Sequence, residues 1–551
     1  MTSEERKIQE LPETSSISLS DQTIVETEDG TKLTDLATLK KLVNANFIVE
    51  NVEAMKSASF KEGEVCITMG YKTAGDGGGA MYKIVYEPAL VEDKANVIYL
   101  LTSDVNRAKF ISLNNCVTPE QFGAVGNGTK DDTDAFKKCI ASNYKIVCRK
   151  GASYYVGALP LASNLFIDLN GASLISNGRH VFKSNDSTVT LENIYICNGY
   201  IRGTSENTDG LAVEIYTHTK SLVFENVVFS NMATSNSFII GNHENMVIRN
   251  CRFGCKDDLG SDAIKINYST VNNTFKDSLT IDSCSFKYYK NPIQVRGKVS
   301  SYSGTVLNDA ALDIINIHNC TGIRTLNNGN GTFLSVYGGC TVNVENCRVT
   351  NFGTFIQTSG NVRNNISLSN ITANKVDTLI SASTGTDQAN SKISASGTII
   401  ASASGSSAQK CLFNILAGTL YLNTSAFQID SSFKESLSGG TFSANSANMK
   451  VVDNSSVDSK DILSYTGTTA SVDISSFGKV GNLFVDLKSA SGNVTTITGG
   501  VVGQVVKLIS SGNRTLVNNG STLRLSASTI TLSAYKSVTL KKISDSAWAQ
   551  I

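Results

Sequence analysis

Acidic side chains gather in two short stretches of this 551-residue chain, Asn207-Thr-Asp-Gly210 and Lys256-Asp-Asp-Leu-Gly-Ser-Asp-Ala-Ile-Lys265. Asp209, Asp257, Asp258 and Asp262 are therefore the candidate catalytic residues. Two carboxyl groups held within one groove can divide acid and base roles, because burial or a neighbouring charge pushes their pKa values apart. Glu214, Tyr216, Lys265, Arg296 and Tyr337 are the candidate binding residues, with Lys265 and Arg296 suited to holding a substrate carboxylate. The competing structural reading is that Asp at such places is turn chemistry. His218 and His243 read as structural. No CxxC pair or Cys/His cluster has metal-ligand spacing, so no metal site is assigned.

Those residues need a scaffold, and the chain carries a repeat that supplies one. Seven times it runs apolar, any, apolar, any, Asn, apolar, any, apolar, centred on Asn193, Asn226, Asn250, Ser283, Asn319, Asn346 and Asn370. Alternation of period two inside a repeat of this size predicts short strands coiled and stacked on copies of themselves. The Asn marks a corner, where its amide can bond backbone and the next Asn up the stack. Aligning the strands puts Val213 and Ile215 in register with Phe238 and Ile240, Ile264 and Ile266, and Ile293 and Val295, all inward. Outward rows then hold Glu214, Ile239, Lys265 and Gln294, and beside them Tyr216, Gly241, Asn267 and Arg296. Coils rise about 4.8 Å each, so two of them set Asp209 about 10 Å from Asp258.

The fold class is all-β, a right-handed parallel β-helix over 117–450 with a helix near 131–141 capping its first coil. Before it, 1–45 read as a polar arm with one helix, Leu33 to Val43, and 46–116 as a small β-rich module. The loop Ala74-Gly-Asp-Gly-Gly-Gly-Ala80 in that module reads as a tight turn. After it, 451–551 read as a separate small β-domain ending near Trp548. Lys plus Arg equals Asp plus Glu at 48 each, which gives no bulk attraction to nucleic acid or a lipid surface. Of twelve cysteines, Cys251, Cys284, Cys320 and Cys347 fall on one inward row as apolar fillers, so they are expected reduced. No export signal or membrane span is read, and neither membrane insertion nor a nucleic-acid partner is expected.

Phe122-Gly-Ala-Val-Gly-Asn-Gly-Thr-Lys-Asp-Asp-Thr133 resembles the opening motif of the pectate-lyase-like β-helix superfamily. Tyr71 to Tyr82, the ending from Gly499 to Trp548, and Glu10-Leu-Pro-Glu-Thr14 are similar to parts of bacteriophage tailspikes. The resemblance implies a homotrimer in the phage tail, made in the host cytoplasm and released by lysis. It implies attachment to neck or baseplate proteins through the N-terminal region, and recognition of a host surface glycan. Glycosidases that invert hold their carboxyls about 6.5–9.5 Å apart, so the Asp209/Asp258 spacing leans to inverting hydrolysis without a cofactor. Asn207-Thr-Asp-Gly210 followed by Asp257-Asp258 resembles polygalacturonase-type hydrolases, with one coil too many between the motifs and their His-Gly absent. Tyr216 and Tyr337 can stack on sugar rings. Three alternatives stay open: a lyase with Lys265 or Arg296 as base and Ca²⁺ on Asp257, Asp258 and Asp262; a teichoic-acid hydrolase; and a receptor-binding adhesin without turnover.

Overall fold

The structure is a computed structural model that describes the chain from residue 22 onward except at 28–29, 36–44, 94–97, 102–104, 113, 179, 187, 204–210, 233–237, 241–242, 256–259, 268–277, 297–312 and 326–330. Towards the C-terminus it also leaves out 360–362, 383–391, 403–412, 416–418, 430–450, 454–461, 466–470, 474–481, 488–491, 500–501, 503, 511–513 and 533–536. Two compact units result, 1–125 with 134–146, and 126–133 with 147–551.

In the first unit Gln22–Thr27 and Gly30–Asp35 form an antiparallel hairpin with Thr27 opposite Gly30. This corrects the helix expected from Leu33: Leu33, Thr34 and Asp35 are strand, and 36–44 lie outside the described residues. The physical reason is the Asp29-Gly30 pair before a run of alternating side chains, a hairpin signal that outweighs a short apolar stripe. Further on, Ala45–Val49, Val65–Thr68, Ala80–Val85, Arg107–Ile111 and Ile98–Leu100 make a five-stranded sheet in that order. The glycine-rich loop folds around Asp76, whose carboxylate accepts the amides of Tyr71 (2.9 Å), Lys72 (2.8 Å), Thr73 (3.1 Å) and Gly78 (2.8 Å). A side chain on Gly78 would meet the Glu120 carbonyl at 2.4 Å, so that turn needs a glycine.

The second unit begins where the Asp-Asp-Thr motif ties its first coils. Asp132 is 2% exposed and its carboxylate accepts the Gly126 amide at 3.0 Å. Asp131 accepts the Thr133 amide at 2.9 Å, and Thr133 Oγ1 accepts the Gly157 amide from the next coil at 2.6 Å. These acids are bonded into the fold. The helix Thr133–Ala141, which belongs to the first unit from Asp134 onward, buries Ala135, Phe136, Cys139 and Ile140.

From there the chain winds as a right-handed parallel β-helix. A 21-stranded sheet and a nine-stranded sheet carry it, every strand in the repeat pairing in parallel with the coil below and above. The larger sheet bends at the Asn corner into a first and a second face; the smaller sheet is the third face. Pairing continues through Thr419–Ile429 to Val451–Asp453, slightly past the expected end.

At the corner Asn226, Asn250, Ser283, Asn319, Asn346 and Asn370 all have φ between 53° and 55°. Asn tolerates this left-handed region because its amide bonds locally. Asn346 Nδ2 donates to Asn319 Oδ1 at 3.3 Å, and Asn370 Nδ2 to Asn346 Oδ1 at 3.2 Å. One member of the expected row moves. Asn226 donates to Asn198 at 3.1 Å, while Asn193 stacks on Asn164 at 2.9 Å, so Asn198 is the true corner and Asn193 marks another. The row ends at Gly397, where a Cβ would sit 2.2 Å from Asn370 Oδ1.

Inside, Phe229, Phe253 and Phe286 stack with centroids 4.8 and 5.1 Å apart, the spacing of the strands themselves. The next position in that row is Gly322, whose missing side chain leaves space for the Phe333 ring, 2.6 Å from where a Cβ would lie. Cys251, Cys284, Cys320 and Cys347 are buried and free. Each thiol donates to the carbonyl two residues earlier at 3.1–3.3 Å, across the corner, so the small polarisable side chain meets a carbonyl there. Near the C-terminus a six-stranded sheet includes Val505–Ile509, Ser537–Ser544 and Ala547–Gln550. Trp548 is fully buried, with Lys542 Nζ 5.6 Å from its ring centroid.

Candidate functional site

The third face arises because strands such as Gly260–Asn267 and Tyr289–Arg296 alternate apolar and polar residues between loops. Its pairing matches the sequence reading. Val213 and Ile215 pair with Phe238 and Ile240, these with Ile264 and Ile266, and these with Ile293 and Val295. Those whose side chains are described are buried. By pairing, the intervening row runs Lys183, Glu214, Ile239, Lys265, Gln294, Ser335, Gln357, and of these Ser335 is buried. A second row sets Asn267 beside Arg296 and Arg296 beside Tyr337.

Glu214 lies close to two bases on this face. Its Oε2 lies 2.9 Å from His180 Nε2 and 3.2 Å from Lys183 Nζ, with side-chain exposures of 15% for Glu214, 8% for His180 and 40% for Lys183. The Glu214 carboxylate thus lies against two nitrogen bases contributed by the strand one coil earlier. Neither His180 nor Lys183 was singled out from the sequence. The signal was present: Lys183 occupies the Glu214 row one coil earlier, in a strand that precedes the first Asn repeat.

Lys265 is half-buried in the same row, two coils above Glu214. Tyr216 and Tyr337 are also half-buried. Arg296 keeps its place in the pairing. Asp262 shares the inward parity of Ile264 and Ile266 and is 3% exposed, at the foot of the face rather than on its outward row. Higher up, Thr332 receives support from below and above: its amide donates to Asn291 Oδ1 at 3.1 Å and its hydroxyl to Gln357 Oε1 at 3.2 Å.

Asp209, Asp257 and Asp258 lie outside the described residues. The strands that follow them, Leu211–Ile215 and Gly260–Asn267, are two coils apart with Phe238–Ile240 between. Among the described residues no group of three or more His, Cys, Asp or Glu is placed to hold a metal ion. No helix there is long and apolar enough to cross a membrane.

The first face is chemically different, because its charges neutralise one another. Arg249 Nη2 donates to Glu225 Oε2 at 2.7 Å, and Tyr195 donates its hydroxyl to the same oxygen. The hydrogen bonds from Arg249 and then Tyr195 hold the Glu225 carboxyl below its usual range. His218 meets Glu244 at 2.9 Å, and Lys220 meets Glu192. His218 is thus paired with a carboxylate of the next coil, and His243 is fully buried.

No family model and no curated protein matches the chain. Among solved structures, the gp42 tailspike of Acinetobacter phage vb_AbaP_AS12 is 13% identical, over 92% of this chain and 94% of that one, with a TM-score of 0.48. The tailspike gp49 from Acinetobacter baumannii bacteriophage Fri1, a capsular polysaccharide depolymerase, is 14% identical over 70% and 75%, with a TM-score of 0.40. Pantoea stewartii WceF, a glycan biofilm modifying enzyme with a tailspike-like parallel β-helix, is 12% identical with a TM-score of 0.41. That match covers 62% of this chain and about half, 49%, of WceF. By its own register and corners, the chain is a right-handed parallel β-helix protein.

Proposed function

We propose that this chain is a bacteriophage tailspike that acts as a homotrimer, binds a host surface glycan along the third face, and depolymerises it by acid/base glycoside hydrolysis. The observation that carries the reading is the row Lys183, Glu214, Lys265 and Gln294, ionisable and amide groups interrupted by Ile239 between Glu214 and Lys265. Two of its strands, Leu211–Ile215 and Gly260–Asn267, follow Asp209 and Asp257-Asp258 directly in the sequence. Asp209 and Asp258 act as the acid/base pair in this reading, with Lys265 and Arg296 holding an anionic sugar and Tyr216 and Tyr337 offering ring faces. Glu214, flanked by His180 and Lys183, orients the sugar through its accepting oxygens. The tailspike assignment itself rests on the resemblance of Phe122–Thr133, of the module before it and of the C-terminal segment.

The test is to incubate the protein with extracted host envelope polysaccharide and size the products. Shortened chains without a rise in absorbance near 235 nm (roughly, for an unsaturated uronate) support hydrolysis, and a rise there assigns a lyase instead. Asp258→Asn should lower turnover by about two to four orders of magnitude while binding persists. Binding with no shortening in the wild type makes the protein an adhesin. Full activity in both Asp209→Asn and Asp258→Asn moves the site elsewhere.

A further inference from the structure

The second face of the coil carries charge of one sign. Arg202, Arg252, Lys287 and Arg348 occupy its outward rows, on four different strands. Arg252, Lys287 and Arg348 are exposed and Arg202 is half-buried. No acid shares these rows among the described residues between the Tyr200 strand and the Ile400 strand. The nearest is Asp131, three coils below Arg202, and it is already bonded to Thr133 and Asn177. The contrast with the first face is direct. There Arg249, Lys220 and His218 each meet a carboxylate, whereas none of the four second-face cations forms an ion pair among the described residues. Arg202 packs its guanidinium 4.8 Å over the Tyr200 ring, and its Nε is buried without a hydrogen-bond partner there.

The chain has no net charge, so a single-signed strip is a local arrangement. Like charges on neighbouring strands repel unless an anion lies between them. With coils rising about 4.8 Å, Arg252 and Arg348 lie about 14 Å apart and the four cations span about 24 Å along the coil axis. That is a mean spacing of about 8 Å between charges, far sparser than the one per ~1.7 Å of a DNA duplex. Between the cations stand the hydroxyls of Ser285 and Thr321, with Ile323 beside Thr321 and Thr350 beside Arg348, and the hydroxyls suit a partner rich in hydroxyls. We propose that the second face is a docking strip for a linear anionic polysaccharide running along the coil axis, distinct from the third-face row. This rests on the glycan-binding reading above and names its substrate class: a polymer bearing carboxylate, sulfate or phosphate at intervals of one to a few sugars.

The test uses the full chain with three probes, dextran sulfate, uncharged dextran and a mixed-sequence DNA duplex, by titration calorimetry at low and high salt. The wild type should bind dextran sulfate, lose that binding as salt rises, and bind uncharged dextran far less. Combining Arg252→Gln, Lys287→Gln and Arg348→Gln should weaken binding to dextran sulfate about 10- to 100-fold, from three exposed ion pairs of ordinary strength. These positions are exposed, so the fold should survive; Arg348→Lys, which keeps the charge, should bind nearly as the wild type does. Unchanged binding in the triple variant overturns the strip while leaving glycan binding intact. Wild-type protein that binds neither dextran sulfate nor host polysaccharide overturns both readings. Tighter binding to the duplex makes the occupant a nucleic acid, and a changed oligomeric state with unchanged glycan binding makes the face a subunit contact; either result refutes the proposal.

Discussion

Replacing Asn346 separates the two things a corner asparagine does. Its backbone sits at φ 53°, and its side chain both donates to Asn319 at 3.3 Å and accepts from Asn370 at 3.2 Å. Alanine at a left-handed position costs about 1 kcal/mol or somewhat more from Cβ crowding. Each ladder bond is solvent-exposed, so about 0.5–1 kcal/mol apiece is the fitting part of the usual range. Asn346→Ala should therefore destabilise the coil by about 2–3 kcal/mol. Asn346→Gly removes the bonds but not the conformational freedom, and should cost about 1–2 kcal/mol. Asn346→Asp keeps the acceptor for Asn370 and loses the donor to Asn319, so it should fall below both. Urea unfolding followed by circular dichroism, with hydrogen exchange of the Cys340–Glu345 and Asn365–Asn374 strands, would give the order. Equal losses for Ala and Gly would refute the strain argument. A loss under about 0.5 kcal/mol for Ala would show that the ladder only decorates the corner.

Three more outcomes are expected. Burial acts to raise the Asp76 carboxyl, but its four amide bonds outweigh that and hold it below the ordinary value. Its contribution is thus fully present above the ordinary carboxylate range and lost as pH falls through the depressed value. The N-terminal module should loosen in acid, and Asp76→Asn should be weaker near neutrality by about 1 kcal/mol with a flatter acid limb; a pH series of thermal melts that leaves both proteins parallel would contradict this. Burial pushes the thiols of Cys66 and Cys197 up to about 12, and ten of the eleven described cysteines are buried. A thiol reagent at mild alkaline pH should label Cys116 well before the other ten, and rapid labelling of Cys284 or Cys320 in folded protein would show that the inner row opens. Light scattering at micromolar concentration should give a homotrimer, and a monomer would remove that part of the functional proposal.

The coil was legible because its rules are local. Alternation fixes which side chains face inward, and a corner residue at positive φ selects Asn with few substitutes, so the third-face register could be read four strands deep. Asn193 was misplaced because Val189-x-Leu191-x-Asn193-Ile194 fits the pattern as well as Ile194-x-Ile196-x-Asn198 does. Only the pairing of Ile194 with Leu222 separates the two. Asp262 follows the same local rule: counting back by twos from Ile266 and Ile264 puts it at inward parity, where it is buried. Leu33 was read as helical because an apolar stripe of spacing three and four is easily met by chance in a short segment. His180 and Lys183 escaped because a pair that meets across two coils is invisible until the coils are aligned.

The spacing between corners varies from 24 residues, Asn226 to Asn250, to 36, Ser283 to Asn319, yet strand pairing on all three faces continues through both. The extra residues fall between paired strands in the sequence, and doubling the length of a connection costs only about 0.6 kcal/mol in closure entropy. Each turn is consequently a socket of constant shape into which insertions of different size and chemistry can be set. A lineage built this way can exchange the loops that meet its target while inheriting the corners unchanged, and recombination at equivalent asparagines would yield chains that still stack.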